Sequence, residues 1–367
     1  MSLSVGIVGL PNVGKSTLFN ALSSNQAEAA NYAFCTIEPN VGVVPVPDPR
    51  FDALVELVVP EKSVPASVDF VDIAGLVKGA SKGEGRGNAF LTNIRDSDAI
   101  AHVVRCFHDD NIVHVDNRID PLADIETIET ELILKDLETV QKRLDRARRA
   151  AKGKDPVEMR AVEVCEKLEA LLDQGKLAAG VSFDDETSLG ILKELCLLTT
   201  KPLFYICNVS DEQLGDIEGD ELVGKVRARA AESGAPVVVI SAQIEAEIMQ
   251  LPPEERADFL ESLDLEEPGL NQVIRTGYAM LNLITYFTAG KKEVRAWTIT
   301  KGTKGPGAAG KIHTDFERGF IRAEVIWWED WLEYKSEAAV KAAGKMGVEG
   351  KEYVVRDGDV MHFRFNV

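Results

Sequence analysis

The chain has 367 residues, 45% of them hydrophobic, and a formal net charge of −19. That length exceeds one ordinary core and predicts two or three domains. No apolar run is long enough to span a bilayer, which argues against a membrane partner, and so acidic a chain does not coat nucleic acid, which leaves any RNA contact to a local basic patch. Cys35, Cys106, Cys165, Cys196 and Cys207 are scattered, odd in number and without C-x-x-C spacing. They read as reduced thiols of a cytoplasmic protein, not as a disulfide frame or a zinc site. The N-terminus enters the first apolar run almost at once, so no signal peptide is expected.

The first predicted element is a strand over 3–8, carried by Val5-Gly6-Ile7-Val8. Gly9-Leu10-Pro11-Asn12-Val13-Gly14-Lys15-Ser16 follows and leads into a helix over 15–24. Strand, glycine loop and helix start, with G-x-x-x-x-G-K-[ST] spacing, are the pattern of a P-loop. Gly9 and Gly14 let the backbone turn successive N–H groups toward a phosphate, and the helix N-terminus adds positive potential. Lys15 reaches the outer phosphates and the Ser16 hydroxyl binds Mg²⁺. The expected phosphate-binding set is Asn12, Val13, Gly14, Lys15, Ser16 and Thr17.

Further strands are predicted at 40–46, 67–72, 99–106, 203–207 and 236–241, and helices at 50–58, 86–96, 221–233 and 253–262. This alternation indicates an α/β fold with a mostly parallel sheet and helices on both faces. The stretch between 106 and 203 is too long for a loop. Ile133, Leu137, Val140, Leu144, Ala147 and Ala151 step by threes and fours, as do Ala161, Val164, Leu168 and Leu171. Between them Asp155 reads as an N-cap, Pro156 as the first helical residue and Glu158 as the second arm of a capping-box-like pair. The spacing predicts an antiparallel coiled-coil hairpin inserted into the sheet domain, and a third helix near 184–199 leads back to the sheet. Beyond it, a helix over 269–290, short strands with glycine-rich turns, one helix near 329–344 and a strand–turn–strand over 353–363 suggest a small α+β domain of about 80 residues.

The strand ending in Asp72-Ile73-Ala74-Gly75 supplies D-x-x-G. Asp72 can hold the magnesium shell through water and Gly75 can present its N–H to a γ-phosphate. Thr36, in Phe34-Cys35-Thr36-Ile37-Glu38-Pro39-Asn40, can close on Mg²⁺ and the γ-phosphate as a switch. Base recognition falls to Asn208-Val209-Ser210-Asp211 at the end of an apolar strand, with Ser241-Ala242 after the next one. Guanine readers carry N-K-x-D at the first of these positions, and Val209 stands where that lysine would be.

Over essentially its whole length the chain resembles the Obg-like ATPase (YchF) family of P-loop NTPases. The resemblance is carried by residues 9–17, 34–40, 72–80, Asn208 and Gly-Lys-Ile-His-Thr-Asp-Phe-Glu at 310–317. It implies a discontinuous G domain (1–123 and 200–280), a helical coiled-coil insertion (124–199) and a C-terminal TGS domain of β-grasp type (281–367). It also implies ATP preferred over GTP, and association with ribosomes. Two positions depart from the family pattern. Asp211 replaces a usual glutamate, and an aspartate there is what a guanine reader uses. Arg86 stands where the family tends to be apolar. An adenine N6 amine can donate to the Asn208 side-chain oxygen or to a backbone carbonyl.

Leu76 occupies the place of the glutamine that orients water in many G domains, so intrinsic hydrolysis is expected to be slow. Two groups can substitute. Asn12 resembles the asparagine of monovalent-cation-dependent relatives, where K⁺ supplies positive charge between the phosphates. His114, in the loop after the 99–106 strand, can reach the γ-phosphate, and the family resemblance implies a histidine there too; it reads equally as a solvated loop residue. His102, inside the apolar strand, reads as a core residue. The expected catalytic set is Lys15, Thr36, Gly75 and His114; the metal set is Ser16, Thr36 and Asp72.

Lys142, Arg143, Arg146, Arg148, Arg149, Lys152 and Lys154 mark the hairpin tip as a basic reversal in an acidic chain. They suit rRNA phosphates, or equally a solvated helix end. A second basic set, Lys301, Lys304, Lys311, Arg318 and Arg322, lies near Trp297, Phe316 and Phe320, aromatics that read as core. The reading is a cytoplasmic, monomeric, Mg²⁺-dependent ATPase switch acting on the ribosome, with the large subunit as one docking candidate. An Obg-type GTPase and a nucleotide-gated binding module with incidental turnover are the alternatives.

Overall fold

The computed structural model describes residues 3–29, 40–73, 86–109, 112 and 118–366. Its first half runs β1 (Ser4–Val8), α1 (Lys15–Ala29), β2 (Val41–Pro45), α2 (Pro49–Val58), β3 (Lys62–Val64), β4 (Ser67–Asp72), α3 (Arg86–Asp96) and β5 (Ala99–Arg105). The helices α4 (Pro121–Ala150), α5 (Pro156–Leu172) and α6 (Glu186–Leu195) follow, and β6 (Leu203–Asn208), α7 (Glu221–Ser233), β7 (Val237–Ile240), α8 (Ala242–Gln250), α9 (Pro253–Ser262) and the start of α10 (Gly269–Met280) complete a first unit that leaves out α2 and β3. By internal contacts this unit holds described residues 3–24, 40–42 and 69–273.

Its sheet has the order β2-β4-β1-β5-β6-β7. β1 lies parallel to β4 and β5, and β6 parallel to β5 and β7. All seven residues of β5 are buried, the continuous apolar run expected of a parallel strand covered on both faces. Helix starts follow local chemistry. Asp120, Asp155 and Asp220 each accept a hydrogen bond from a backbone N–H of the first turn, and Pro121 and Pro156 follow the first two caps.

The hairpin of α4 and α5 closes on Val140, Leu144 and Ala147 against Ala161, Val164, Cys165 and Leu168, close to the predicted seam. Glu158 departs from its capping-box role. Its carboxylate takes the Arg143 guanidinium at 2.8 and 3.2 Å. The base of the hairpin is tied to the sheet by buried polar groups. Asp136 accepts from the Leu198 and Thr199 N–H groups and the Thr199 hydroxyl, all within 2.8 Å. Glu129 accepts from the Tyr205 hydroxyl and pairs with Arg229 at 2.7 Å. No helix among the described residues is long and apolar enough to cross a membrane.

The second unit holds residues 43–68 and 274–366 together with the end of α1. Its later elements are β8 (Leu283–Ala289), β9 (Glu293–Thr300), α11 (Gly305–Ile312), α12 (Thr314–Arg318), β10 (Phe320–Trp327), α13 (Trp328–Tyr334), α14 (Glu337–Ala342), β11 (Gly347–Glu349) and β12 (Asp359–Phe365). They form a mixed sheet of order β11-β10-β12-β8-β9-β3 around Tyr286, Ile299, Phe320 and Phe363. Segment 43–68, drawn from sequence into the nucleotide domain, thus groups with the C-terminal strands through α2 and through β3 paired parallel to β9.

Four expectations for this region are corrected. The helix predicted over 269–290 ends at Met280, where Asn282 adopts a φ of 54°. The next residues, Leu-Ile-Thr-Tyr-Phe-Thr-Ala, are β-branched and aromatic, and form β8. Gly305–Ile312, read as a glycine-rich turn, is a helix, because Pro306 opens it and small residues let it approach the sheet: a Cβ on Gly305 would lie 3.1 Å from the Phe320 ring. The single helix near 329–344 is two, divided at Lys335 with φ 60°. The first arm of the 353–363 hairpin is a lone bridge from Val354 to Lys304.

Candidate functional site

The carboxyl ends of β1, β5, β6 and β7 share one edge of the parallel sheet, where ligands of open α/β folds bind. The loop after β1 turns through two left-handed residues, Asn12 (φ 64°) and Gly14 (φ 93°), and delivers Lys15 to the start of α1. Lys15 is 8% exposed, and its Nζ pairs with the carboxylate of Asp72 at the end of β4. Ser16 and Thr17 are exposed in the first turn of α1. The arrangement sets a cation, a carboxylate and two hydroxyls around a helix N-terminus, the parts needed to hold a polyphosphate and a hard cation.

The base-side loops are built from three hydrogen bonds. Asn208 Nδ2 donates to the Val13 carbonyl at 2.9 Å, and Asn208 Oδ1 accepts from the Ala242 N–H at 2.9 Å. The Ser241 hydroxyl donates to Asp211 at 2.6 Å, and Ser241 also caps α8. Asn208 therefore locks the P-loop to the loop after β7; its oxygen, considered from sequence as an adenine contact, already carries this internal bond. Val209 is buried beside Cys106 and Tyr205, and also borders the cavity.

These parts enclose a cavity of about 600 Å³. Asn12, Gly14 and Thr17 form its P-loop wall, and Asn208, Val209, Asp211, Ser241 and Ala242 its second wall. Sequence reasoning missed two more stretches. Gln243, Ala246, Glu247 and Gln250 contribute one face of α8, and Phe107, His108, Asp109 and Ile112 form a third wall after β5. The signal for the third wall was positional: Phe107 and His108 follow directly on a fully buried parallel strand.

Titratable groups beneath the cavity are tuned by burial. Glu245, on the inner side of α8, accepts from the Gly269 and Leu270 N–H groups at 2.7 and 3.1 Å, and desolvation pushes its carboxyl up to about 7. A hydrogen bond with Cys207 and burial push the Cys106 thiol well up, which makes it unreactive. His102 is a core residue as expected; burial lowers it to about 3, so it stays neutral, and its Nδ1 has no hydrogen-bond partner among the described residues. No group of three or more His, Cys, Asp or Glu able to hold a metal occurs among the described residues. Thr36, Gly75, Leu76, Cys35 and His114, and the Arg86 side chain, lie outside the described residues.

A parallel sheet with a P-loop after its first strand, an acidic residue ending a neighbouring strand and polar loops on the base side defines a P-loop NTPase. Comparison with known proteins narrows the class. A family model described as "50S ribosome-binding GTPase" matches residues 4–139, and the YchF-GTPase_C model, described as "Protein of unknown function (DUF933)", matches 283–366. Proteins named "Ribosome-binding ATPase YchF" from Haemophilus influenzae and Bacillus subtilis are each 56% identical over 367 residues, covering all of both chains. The solved structure of the Schizosaccharomyces pombe YchF GTPase is 41% identical, covers 99% of this chain and 98% of its own, and superposes with a TM-score of 0.89. The chain belongs to the YchF family.

Proposed function

We propose that the chain is a Mg²⁺-dependent ATP-binding and ATP-hydrolysing switch that associates with ribosomes. The meeting of the P-loop and the base-side loops on one cavity, with Lys15 of that loop paired to Asp72, carries the reading. Full-length similarity to proteins named as ribosome-binding ATPases supports its second half. Lys15 neutralises the outer phosphates, and the backbone N–H groups of residues 12–17 cradle them. Ser16, Thr36 and Asp72 are the residues that would hold Mg²⁺. The ion supplies charge neutralisation across the β- and γ-phosphates when bound. Gly75 binds the γ-phosphate through its N–H, and His114 acts near it in place of the absent glutamine. Asn12 is the residue suited to K⁺. The chain works as a cytoplasmic monomer, with its C-terminal unit as a TGS domain of β-grasp type, the α4–α5 hairpin as its coiled coil, and rRNA of the large subunit as the docking surface.

One observation favours a second reading, a GTPase. Asp211 borders the cavity with its carboxylate held by Ser241, the residue type and place of a guanine reader. Equilibrium titration of the nucleotide-free chain with ATP and GTP in Mg²⁺ separates the two. ATP bound at least tenfold tighter, about 1.4 kcal/mol, is the expected result. Equal or tighter GTP binding makes the chain a GTPase.

A further inference from the structure

Arg105 is 1% exposed at the carboxyl end of β5. Its Nε donates to the Phe107 carbonyl at 3.2 Å, Nη1 to the Ile112 carbonyl at 2.9 Å and Nη2 to the Asp109 carbonyl at 3.1 Å. Its guanidinium carbon also lies 4.5 Å over the Phe107 ring. Burial alone lowers the arginine pKa, and the charges of Asp109 and Asp124 oppose that. A buried cation is tolerated where its donors meet good acceptors. Here the three acceptors are main-chain oxygens of Phe107, Asp109 and Ile112, and these residues with His108 form the third wall of the nucleotide cavity. The strand itself does not need the arginine, since β5 pairs with β6 through its backbone.

We infer that Arg105 is a positioning residue for the base end of the nucleotide. It holds Phe107 and His108 as a preformed wall and does not touch the phosphates. The inference rests on the nucleotide-site reading above. Only a planar fork reaches three carbonyls at once; a lysine ammonium carries all its donors on one nitrogen.

The test uses the full-length, nucleotide-free protein and its Arg105→Lys, Arg105→Met and Phe107→Ala forms, each titrated with ATP and with inorganic tripolyphosphate. Phe107→Ala removes the ring from the wall but keeps the arginine and its three main-chain acceptors, so it still reports should the arginine variants misfold. The expected result is ATP affinity down tenfold or more in all three, tripolyphosphate affinity within twofold of the parent, and no rescue by lysine. Unchanged ATP affinity, or ATP and tripolyphosphate falling together, overturns the inference by showing that Arg105 only supports the fold. A parent chain that binds neither ligand overturns the nucleotide reading itself.

Discussion

At Gly14 an added Cβ would lie 2.1 Å from the Asn208 amide nitrogen, on a backbone with φ of 93° that side chains rarely adopt. The P-loop glycine is thus fixed twice, by its own torsion and by the side chain of the sequence-distant Asn208. Glu245 gives the fold a pH dependence near neutrality. Its folded pKa, about 7, lies above the ordinary 4.5 because burial penalises the carboxylate. Between those values the folded chain keeps a proton that the unfolded chain has released. The resulting stabilisation is fully present below about pH 4.5 and is lost as pH rises through 7. Urea unfolding between pH 5 and 8 should show a fall in stability that Glu245→Gln flattens; identical slopes for the two proteins would remove Glu245 from the explanation. The phosphate side of the site was legible in the sequence because eight consecutive residues carry it. Asn208 was legible as a site residue but not as a brace, Phe107 only by its place after β5, and Arg105 not at all, because its meaning lies in bonds the spacing of residues does not encode.

The elements divide by the same logic. Most strands and helices of the first unit stand within two residues of their sequence positions, since burial on one or both faces leaves a clear period or a clear apolar run. The C-terminal misreadings fall where composition and context disagree, as in a glycine-rich helix that is stable only by close packing. The basic hairpin tip also changes on inspection. Arg143 is buried, bound to Glu158 and to Glu194 at 3.2 Å, while Lys142 pairs with Glu138 and Arg148 with Glu166. Arg146, Arg149, Lys152 and Lys154 carry no ion pair among the described residues. Arg143→Ala is therefore a stability variant, expected to lose about 2 kcal/mol in urea unfolding by stranding the partly buried Glu158. Arg146→Ala with Arg149→Ala should leave unfolding unchanged, weaken ribosome co-sedimentation and make it less sensitive to salt. Ribosome binding that survives this double change would place the contact elsewhere.

On the scale of the whole molecule, the C-terminal sheet is not contained in the C-terminal chain. Phe51 and Leu54 of α2 are buried, Arg50 bonds Asp357 at 3.1 Å and lies over the Phe287 ring, and β3 supplies an edge strand to β9. A fragment of residues 281–367 lacks Arg50, Phe51, Leu54 and β3. It should be poorly soluble or molten by near-ultraviolet circular dichroism, and adding residues 43–68 through a flexible linker should restore cooperative unfolding. A fragment that folds cooperatively alone would show that α2 and β3 are accessory to this sheet. The same stitch imposes a schedule on synthesis. Lys62 leaves the ribosome about 230 residues before its strand partner Glu293, a wait of roughly 10–50 s at ordinary elongation rates. For that time α2 hangs from the nascent chain with Phe51 and Leu54 unmatched, and β3 with its backbone edge unpaired. A premature stop anywhere before β9 would make the gap permanent, so truncated products of this gene should be strong substrates for holdase chaperones and quality-control proteases even when the whole nucleotide unit has been made.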